Sequence, residues 1–360
     1  MPPSHRPADG IAAKKIGVVV VTFNTGDIVV ECLESLFASR DVDLHVVVVD
    51  NNSDDDTRAI VRDWATGKSP FARRADCPLP AIAPVGKPVD FSVHDGDAPF
   101  AAASGLTLLQ SRVNGGFAYA VNLGIRALLP NTDIDAFWVL NPDCVVSPET
   151  ASLYLAEAAR GPYALLGCRT VYYEAPDQIQ SDGGLVDWHT ATCKPLNNGK
   201  PPATTTLPDA AALDWISGAN MVASRAFIAQ TGLMLEDYFL YFEEVDWAVR
   251  RGDLPLRLVP GTIVYHHGGT SIGTGSTVRR PSPFANYFNY RNRVRFARRH
   301  MRPWLPMVYA KAFAKSGQLL LKGAPDEAWA ILTGTFELQP PRQIASRITD
   351  DDARKLAFGR

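Results

Sequence analysis

The chain has 360 residues, a formal charge of −2, and an ordinary balance of 46% hydrophobic and 21% charged residues. That is enough chain for a full core, with no global charge to suggest nucleic acid as a partner. Cys32, Cys77, Cys144, Cys168 and Cys193 are odd in number and scattered, with no Cys-x-x-Cys pair, which fits a reducing compartment and neither a disulfide framework nor a zinc knuckle. The opening MPPSHRPADG lacks the apolar core of a signal peptide, and no run reaches the roughly 18 to 20 apolar residues of a membrane span, so a cytoplasmic protein is expected.

In chain order, IGVVVVTFN (16–24) is a continuous β-branched run, the mark of a strand covered on both faces. DIVVECLESLFAS follows with Val29, Cys32, Leu33, Leu36 and Phe37 at helical spacing, then HVVVVDNNS (45–53) repeats the strand. DDDTRAIVRDWA reads as a helix with acids at its start, where the dipole favours them. From 66 to 105 no period survives, and the stretch reads as a long surface insertion. LTLLQS, FAYAVNLGIRALL and FWVL then resume the alternation, which implies a parallel, three-layer α/β sheet.

Such sheets bind ligands at the carboxyl ends of their strands. Here those ends read Thr22-Phe23-Asn24, Asp50-Asn51-Asn52, Asn114-Gly115-Gly116 and Asn141-Pro142-Asp143. Any one of them is explained by turn formation alone; four along one edge suggest a polar site. No Gly-x-Gly-x-x-Gly follows the first strand and no complete P-loop occurs, which removes the main support for dinucleotide oxidoreductases and P-loop enzymes.

The second half supplies ionisable groups. In DYFLYFEEVDWAVRRG (237–252) aromatic rings lead into Glu243, Glu244 and Asp246, and Asp246 stands four residues before Arg250 in the order that favours a structural helical pair. LVPGTIVYHHGGTS is a strand that emerges into His266 and His267, of which only one can face Asp143, because neighbours on a strand point to opposite sides. ANYFNYRNRVRFARRHMR (285–302) is an arginine-rich helix. Beyond it, WLPMVYAKAFAKSGQLLL and DEAWAILTGTF read as amphipathic helices that pack on the rest of the chain or a partner.

Taken in order, VVTFN, VVVDNNSDDDT, NGGFAYAVNLGI, LNPDC, FLYFEEVDWAVR, VYHHGGTS and YRNRVRF resemble the inverting family 2 glycosyltransferases, most closely their bacterial rhamnosyltransferase-like branch, from about Ile16 to Arg299. The resemblance implies a GT-A fold: a three-layer sandwich with a mostly parallel central sheet over 15–290, after a flexible tail at 1–14 and before a C-terminal helical extension at 291–360. It implies that Thr22, Asn24, Asp50 and Asn51 surround the nucleotide, and that Asn114, Gly116, Asn122 and Asn141 line the donor site. Arg291 and Asn292 would border the diphosphate or acceptor. Asp143 takes the place of the last acid of the family's Asp-x-Asp motif, with Asn141 where the first acid stands; an amide brings an oxygen and no charge. His266 would complete the shell of Mg²⁺ or Mn²⁺, with His267 the alternative. Glu244 would be the catalytic base, with Glu243 and Asp246 beside it.

The implied reaction moves a sugar from a dTDP- or UDP-sugar, with dTDP-L-rhamnose foremost, to a hydroxyl of a cell-surface glycan or lipid-linked acceptor. A sugar nucleotidyltransferase and a non-catalytic carbohydrate- or nucleotide-binding relative are the alternative readings. A homo-oligomer and a peripheral contact with the inner face of the cell membrane are both compatible with the sequence.

Overall fold

The structure, a computed structural model, describes residues 14–268 and 280–359. The expected tail at 1–14 falls, but for Lys14, outside the described residues, as does the end of the VYHHGGTS motif. The first half runs β1 (Lys14–Thr22), α1 (Val29–Phe37), β2 (Val42–Asp50), α2 (Thr57–Thr66), β3 (Phe91–Asp95), β4 (Gly105–Gln110), α3 (Phe117–Leu128), β5 (Ala136–Leu140), β6 (Cys144–Val146) and α4 (Thr150–Ala158). The second half adds β7 (Leu165–Tyr172), β8 (Ile179–Ser181), β9 (Gly184–Asp187), β10 (Thr192–Pro195), β11 (Asn220–Ser224), α5 (Arg225–Thr231), α6 (Glu243–Val249) and β12 (Leu256–His266). The helices α7 (Pro283–His300), α8 (Leu305–Leu321), α9 (Pro325–Thr335), α10 (Arg342–Ala345) and α11 (Asp351–Phe358) close the chain.

The main sheet has the order β3-β4-β2-β1-β5-β11-β7-β12-β6, with β8 paired to β7. From β3 to β5 every pairing is parallel; β11 runs antiparallel between β5 and β7, and β6 antiparallel to β12. The β-branched runs explain the layers. Alternate residues of β1 and β2 fill two separate cores: Val19, Val21, Val47 and Val49 pack with α3, while Ile16, Val18, Val20, Val46 and Val48 pack with α1 and α2. A strand apolar on both faces is stable only with helices on both sides, and Gly124 lets α3 come close: a Cβ there would lie 2.5 Å from Val19.

Two expectations need correction. The stretch 66–105 is not wholly irregular, because Phe91–Asp95 forms the edge strand β3. It is short and half exposed, so one covered face leaves little hydrophobic period to read. The boundary placed at 290 falls inside α7, and Val294, Phe296 and Val308 from beyond it join the main core, so the helical extension is continuous with the body.

Candidate active site

The strand ends do converge. Val21, Phe23, Asn24, Asn51, Asn114, Gly116, Asn141, Pro142 and Asp143 line one cleft of about 460 Å³, a size that suits a nucleotide-sized ligand. A larger and more open hollow of about 610 Å³, beside Lys14, Asp133, Tyr163 and Arg225, lies at the opposite end of β1. It has ion-paired rims, Lys15 with Asp133 and Arg225 with Asp135, and the carboxyl-end rule for parallel sheets selects the smaller cleft.

One wall is a lattice of amides. Asn51 Nδ2 donates to Asn114 Oδ1 at 2.9 Å and to the Gly116 carbonyl at 3.2 Å, while its Oδ1 accepts from Gly115 N–H at 3.2 Å. Asn24 is held in a left-handed conformation, its Oδ1 accepting from Asp54 N–H. Thr22 and Asp50 stand behind this wall, not on it. Thr22 Oγ1 donates to Asp50 Oδ1 at 3.3 Å, and Asp50 Oδ2 accepts from Ser53 N–H and faces Arg58 at 3.3 Å. Burial pushes the Asp50 carboxyl up, opposed by those partners. Asn122 is also removed from the cleft: it donates to the Met234 carbonyl and Glu236 and accepts from Met234 N–H, so its whole amide pins α3 to the segment before the aromatic run.

The floor of the cleft is the end of β5. His266 Nε2 lies 3.1 Å from Asp143 Oδ1 and 3.4 Å from Asn141 Nδ2, because β12 pairs with β6 in a register that sets His266 opposite Cys144. His266 Nδ1 is 2.7 Å from Gln180 Oε1, an amide oxygen that can only accept. The proton therefore sits on Nδ1 in the neutral ring, and the Nε2 lone pair faces a carboxylate oxygen. Two electron-rich atoms at that distance need a proton or a cation between them. Burial opposes charge on Asp143, and the neighbouring His266 and His267 hold its carboxyl below the usual range. The residues fit a divalent ion: Asp143, Cys144 and His266 bring ligand atoms within 4.8 Å of one another. Of these the carboxylate and imidazole are the better suited to ligation, since burial drives the Cys144 thiol well up. His267 turns away to Glu174 at 2.6 Å and stacks on Tyr173, so His266 is the residue that faces Asp143.

The acidic helix start is placed by a strained loop. Phe239, Tyr241 and Phe242 all adopt positive φ (63°, 70° and 75°), a costly conformation for side chains of this size. Asn292 holds it there, its amide hydrogens shared among the carbonyls of Tyr238, Leu240 and Tyr241 at 2.7 to 2.9 Å. Arg291 does not line the cleft. It is buried, donates to the carbonyls of Tyr238 and Ala357, and lies over the Phe288 ring, and burial lowers its guanidinium to about 9. The Arg-Asn pair is thus a clamp on the loop that presents Glu243 and Glu244.

Glu243 is buried; burial first, then the charge of Glu244, push its carboxyl up to about 8. Glu244 is half-buried, its carboxyl pushed up by desolvation, and it neighbours the cleft. A methyl group on Gly218 would touch Glu244 Cβ at 3.5 Å and the cleft-lining Phe117 ring at 3.6 Å, and the next residue, Ala219, accepts from Asn141 N–H at 2.9 Å. Asp246 has no such access. It is fully buried and accepts from Tyr238, Arg250 and His300, of which His300 and Arg250 keep its carboxyl low against the cost of burial.

Two contributors escaped sequence reasoning. Gln180 orients His266 from β8, a three-residue strand without a period. Arg347 and Ile348, just beyond α10, close the cleft from the far C-terminus, and Arg347 lies over the Phe284 ring at 4.7 Å.

The Glycosyl transferase family 2 family matches residues 17–74. No curated protein matches the chain. Among solved structures, the mannosyltransferase PcManGT from Pyrobaculum calidifontis, in complex with GDP-Man and Mn²⁺, is 15% identical with a TM-score of 0.48, covering 96% of this chain and 83% of that one. S. aureus TarS 1-349 in complex with UDP-GlcNAc is 14% identical with a TM-score of 0.48, covering 96% and 87%. GalNAc-T7 with UDP, GalNAc and Mn²⁺ is 12% identical with a TM-score of 0.52, covering 95% of this chain and 59% of that one, a likeness of fold alone. The Glycosyl transferase family 2 match lies on β1, α1, β2 and α2, and with the mostly parallel sheet built around them the chain has a GT-A-like fold.

Proposed function

We propose that the chain transfers a sugar from a nucleoside diphosphate to an acceptor hydroxyl with inversion, and that the donor is dTDP-L-rhamnose or a related dTDP- or UDP-sugar. The observation that carries this is the Asp143–His266 pair at the floor of a cleft whose walls are strand-tip amides. In this reading Asn24, Asn51 and Asn114 hydrogen-bond the nucleoside. Asp143 and His266 hold Mg²⁺ or Mn²⁺, which would neutralise charge on the leaving diphosphate when bound. Asn141 contributes an amide at the same strand end. Arg347, the one cation on the cleft wall among the described residues, faces the diphosphate.

An acceptor hydroxyl is a poor nucleophile until a base takes its proton, and Glu244 is the carboxylate placed for that. Its desolvation raises its affinity for the proton it must accept. A single displacement needs no enzyme nucleophile. The acceptor is a cell-surface glycan or a lipid-linked saccharide, and the enzyme works in the cytoplasm. The test is Glu244→Gln, which keeps size and cannot act as a base. Transfer should fall roughly 10²- to 10⁴-fold with donor affinity unchanged. Transfer at the wild-type rate would eliminate Glu244, and equal loss of donor affinity would move it to the donor side.

A further inference from the structure

The arginine-rich α7 is the obvious place to look for a basic surface, yet most of its charges already face partners within the chain, Arg293 lying over the Tyr290 ring. Arg291 is buried, Arg295 and Arg298 pair with Glu337, and Arg299 pairs with Asp237. The surface feature left over is on α8. One face of that helix packs inward through Val308, Ala312, Ser316 and Leu319. Its outward face is apolar as well: Met307, Ala310, Phe313, Ala314, Leu320 and Leu321 are exposed, Leu321 by 91%, Leu320 by 55% and Phe313 by 53%. At about 100° per residue these positions occupy an arc roughly 140° wide. Trp304 before the helix, and Trp329 and Phe336 at α9, are exposed too.

Along one flank of the stripe run Lys311, Lys315 and Lys322, spaced about one helical turn or two apart. Lys311 is tied to Thr190 and Thr192; Lys315 and Lys322 are exposed, as is Arg302 ahead of the helix. From Asp253 to Asp326 the sequence contains no acid between those two residues. An exposed apolar stripe bordered by cations, with no carboxylate on its helix, is the composition of a helix that lies in the interface of a bilayer.

We infer that α8, with the neighbouring Trp329 and Phe336, is a docking face for an anionic membrane surface. The apolar side chains enter the headgroup boundary, the two tryptophans sit at its polar edge, and Lys315, Lys322 and Arg302 meet the lipid phosphates. Charge decides between this occupant and a second copy of the chain, because a self-complementary face would set the same lysine row against itself. The inference is independent of the donor site.

The experiment is flotation of the full-length chain with vesicles of phosphatidylcholine alone and of phosphatidylcholine mixed with phosphatidylglycerol. The wild type should float with the mixed vesicles and lose binding at high salt. Lys315→Glu with Lys322→Glu should reduce binding about tenfold or more, and Leu320→Ser with Leu321→Ser should abolish it. All four side chains are exposed, so melting temperature and donor affinity should stay at wild-type values. No flotation with mixed vesicles, or equal flotation by both double variants, would overturn the inference. A dimer in solution that the Leu320→Ser, Leu321→Ser variant converts to monomer would assign the face to a second copy and overturn it too.

Discussion

Asn292→Ala is the perturbation that tests the loop clamp. Its amide carries two hydrogens for three carbonyls, and its oxygen accepts from Arg291 Nε at 3.0 Å. Truncation leaves the carbonyls of Leu240 and Tyr241 without that donor, while Tyr238 keeps Arg291. Each half-buried carbonyl that loses this donor costs about 1 to 2 kcal/mol. The three positive-φ residues it restrains hold about 1 to 3 kcal/mol of strain each, part of which is relieved once the loop is released. The net expectation is a loss of about 2 to 4 kcal/mol, read as a lowered urea midpoint with an unchanged slope. Asn289→Ala is the control: on the same helix, its amide bonds the Ala285 carbonyl one turn back and no other group among the described residues, so the loss should stay below about 1 kcal/mol. The clamp also predicts a kinetic signature. Turnover should fall more than donor affinity, because Glu244 loses its placement while the amide wall of the cleft does not. An Asn292→Ala protein as stable as Asn289→Ala would refute the reasoning.

Two further outcomes follow from the geometry. Gln180→Leu removes the acceptor that fixes the His266 ring, so Mn²⁺ affinity, measured by titration calorimetry, should weaken about 10- to 100-fold with no change in fold; unchanged affinity would show that the ring is oriented by something else. Glu243 is raised from 4.5 to about 8, so between those values the folded chain keeps a proton that the unfolded chain has lost, and stability falls as pH rises through that window at up to about 1.4 kcal/mol per unit. Glu243→Gln should flatten the stability profile there and leave the protein more stable than wild type near pH 8, and a profile as steep as wild type would place the titration elsewhere.

How much was legible depended on local signal. β1 and β2 announced themselves because both faces are covered and each carries a run of four valines. The strand-tip Asn and Asp residues could be grouped because parallel strands bring their carboxyl ends together. Asp246 pairs with Arg250 as their spacing required. What a sequence does not encode locally is the direction of a side chain. Asn122 and Arg291 belong to motifs at the edge of the site, yet tertiary contacts turn the one toward Met234 and the other toward α11. β3 and β8 are too short or too exposed to show a period, which hid both the sheet's edge and Gln180. Arg347 reaches the cleft over a separation in sequence that no pattern spans.

The central claim is that Asp143 and His266 jointly hold the ion that binds a sugar nucleotide in this cleft. Titration calorimetry with dTDP-L-rhamnose, UDP-sugars and GDP-sugars, with Mn²⁺ and then with EDTA, tests it most directly. The account predicts Mn²⁺-dependent binding of a dTDP- or UDP-sugar. Asp143→Ala and His266→Ala should each remove the metal-dependent part, and the double variant should be little worse than either, because members of one site are not additive. Full donor affinity in EDTA, or in both single variants with Mn²⁺ present, would contradict it.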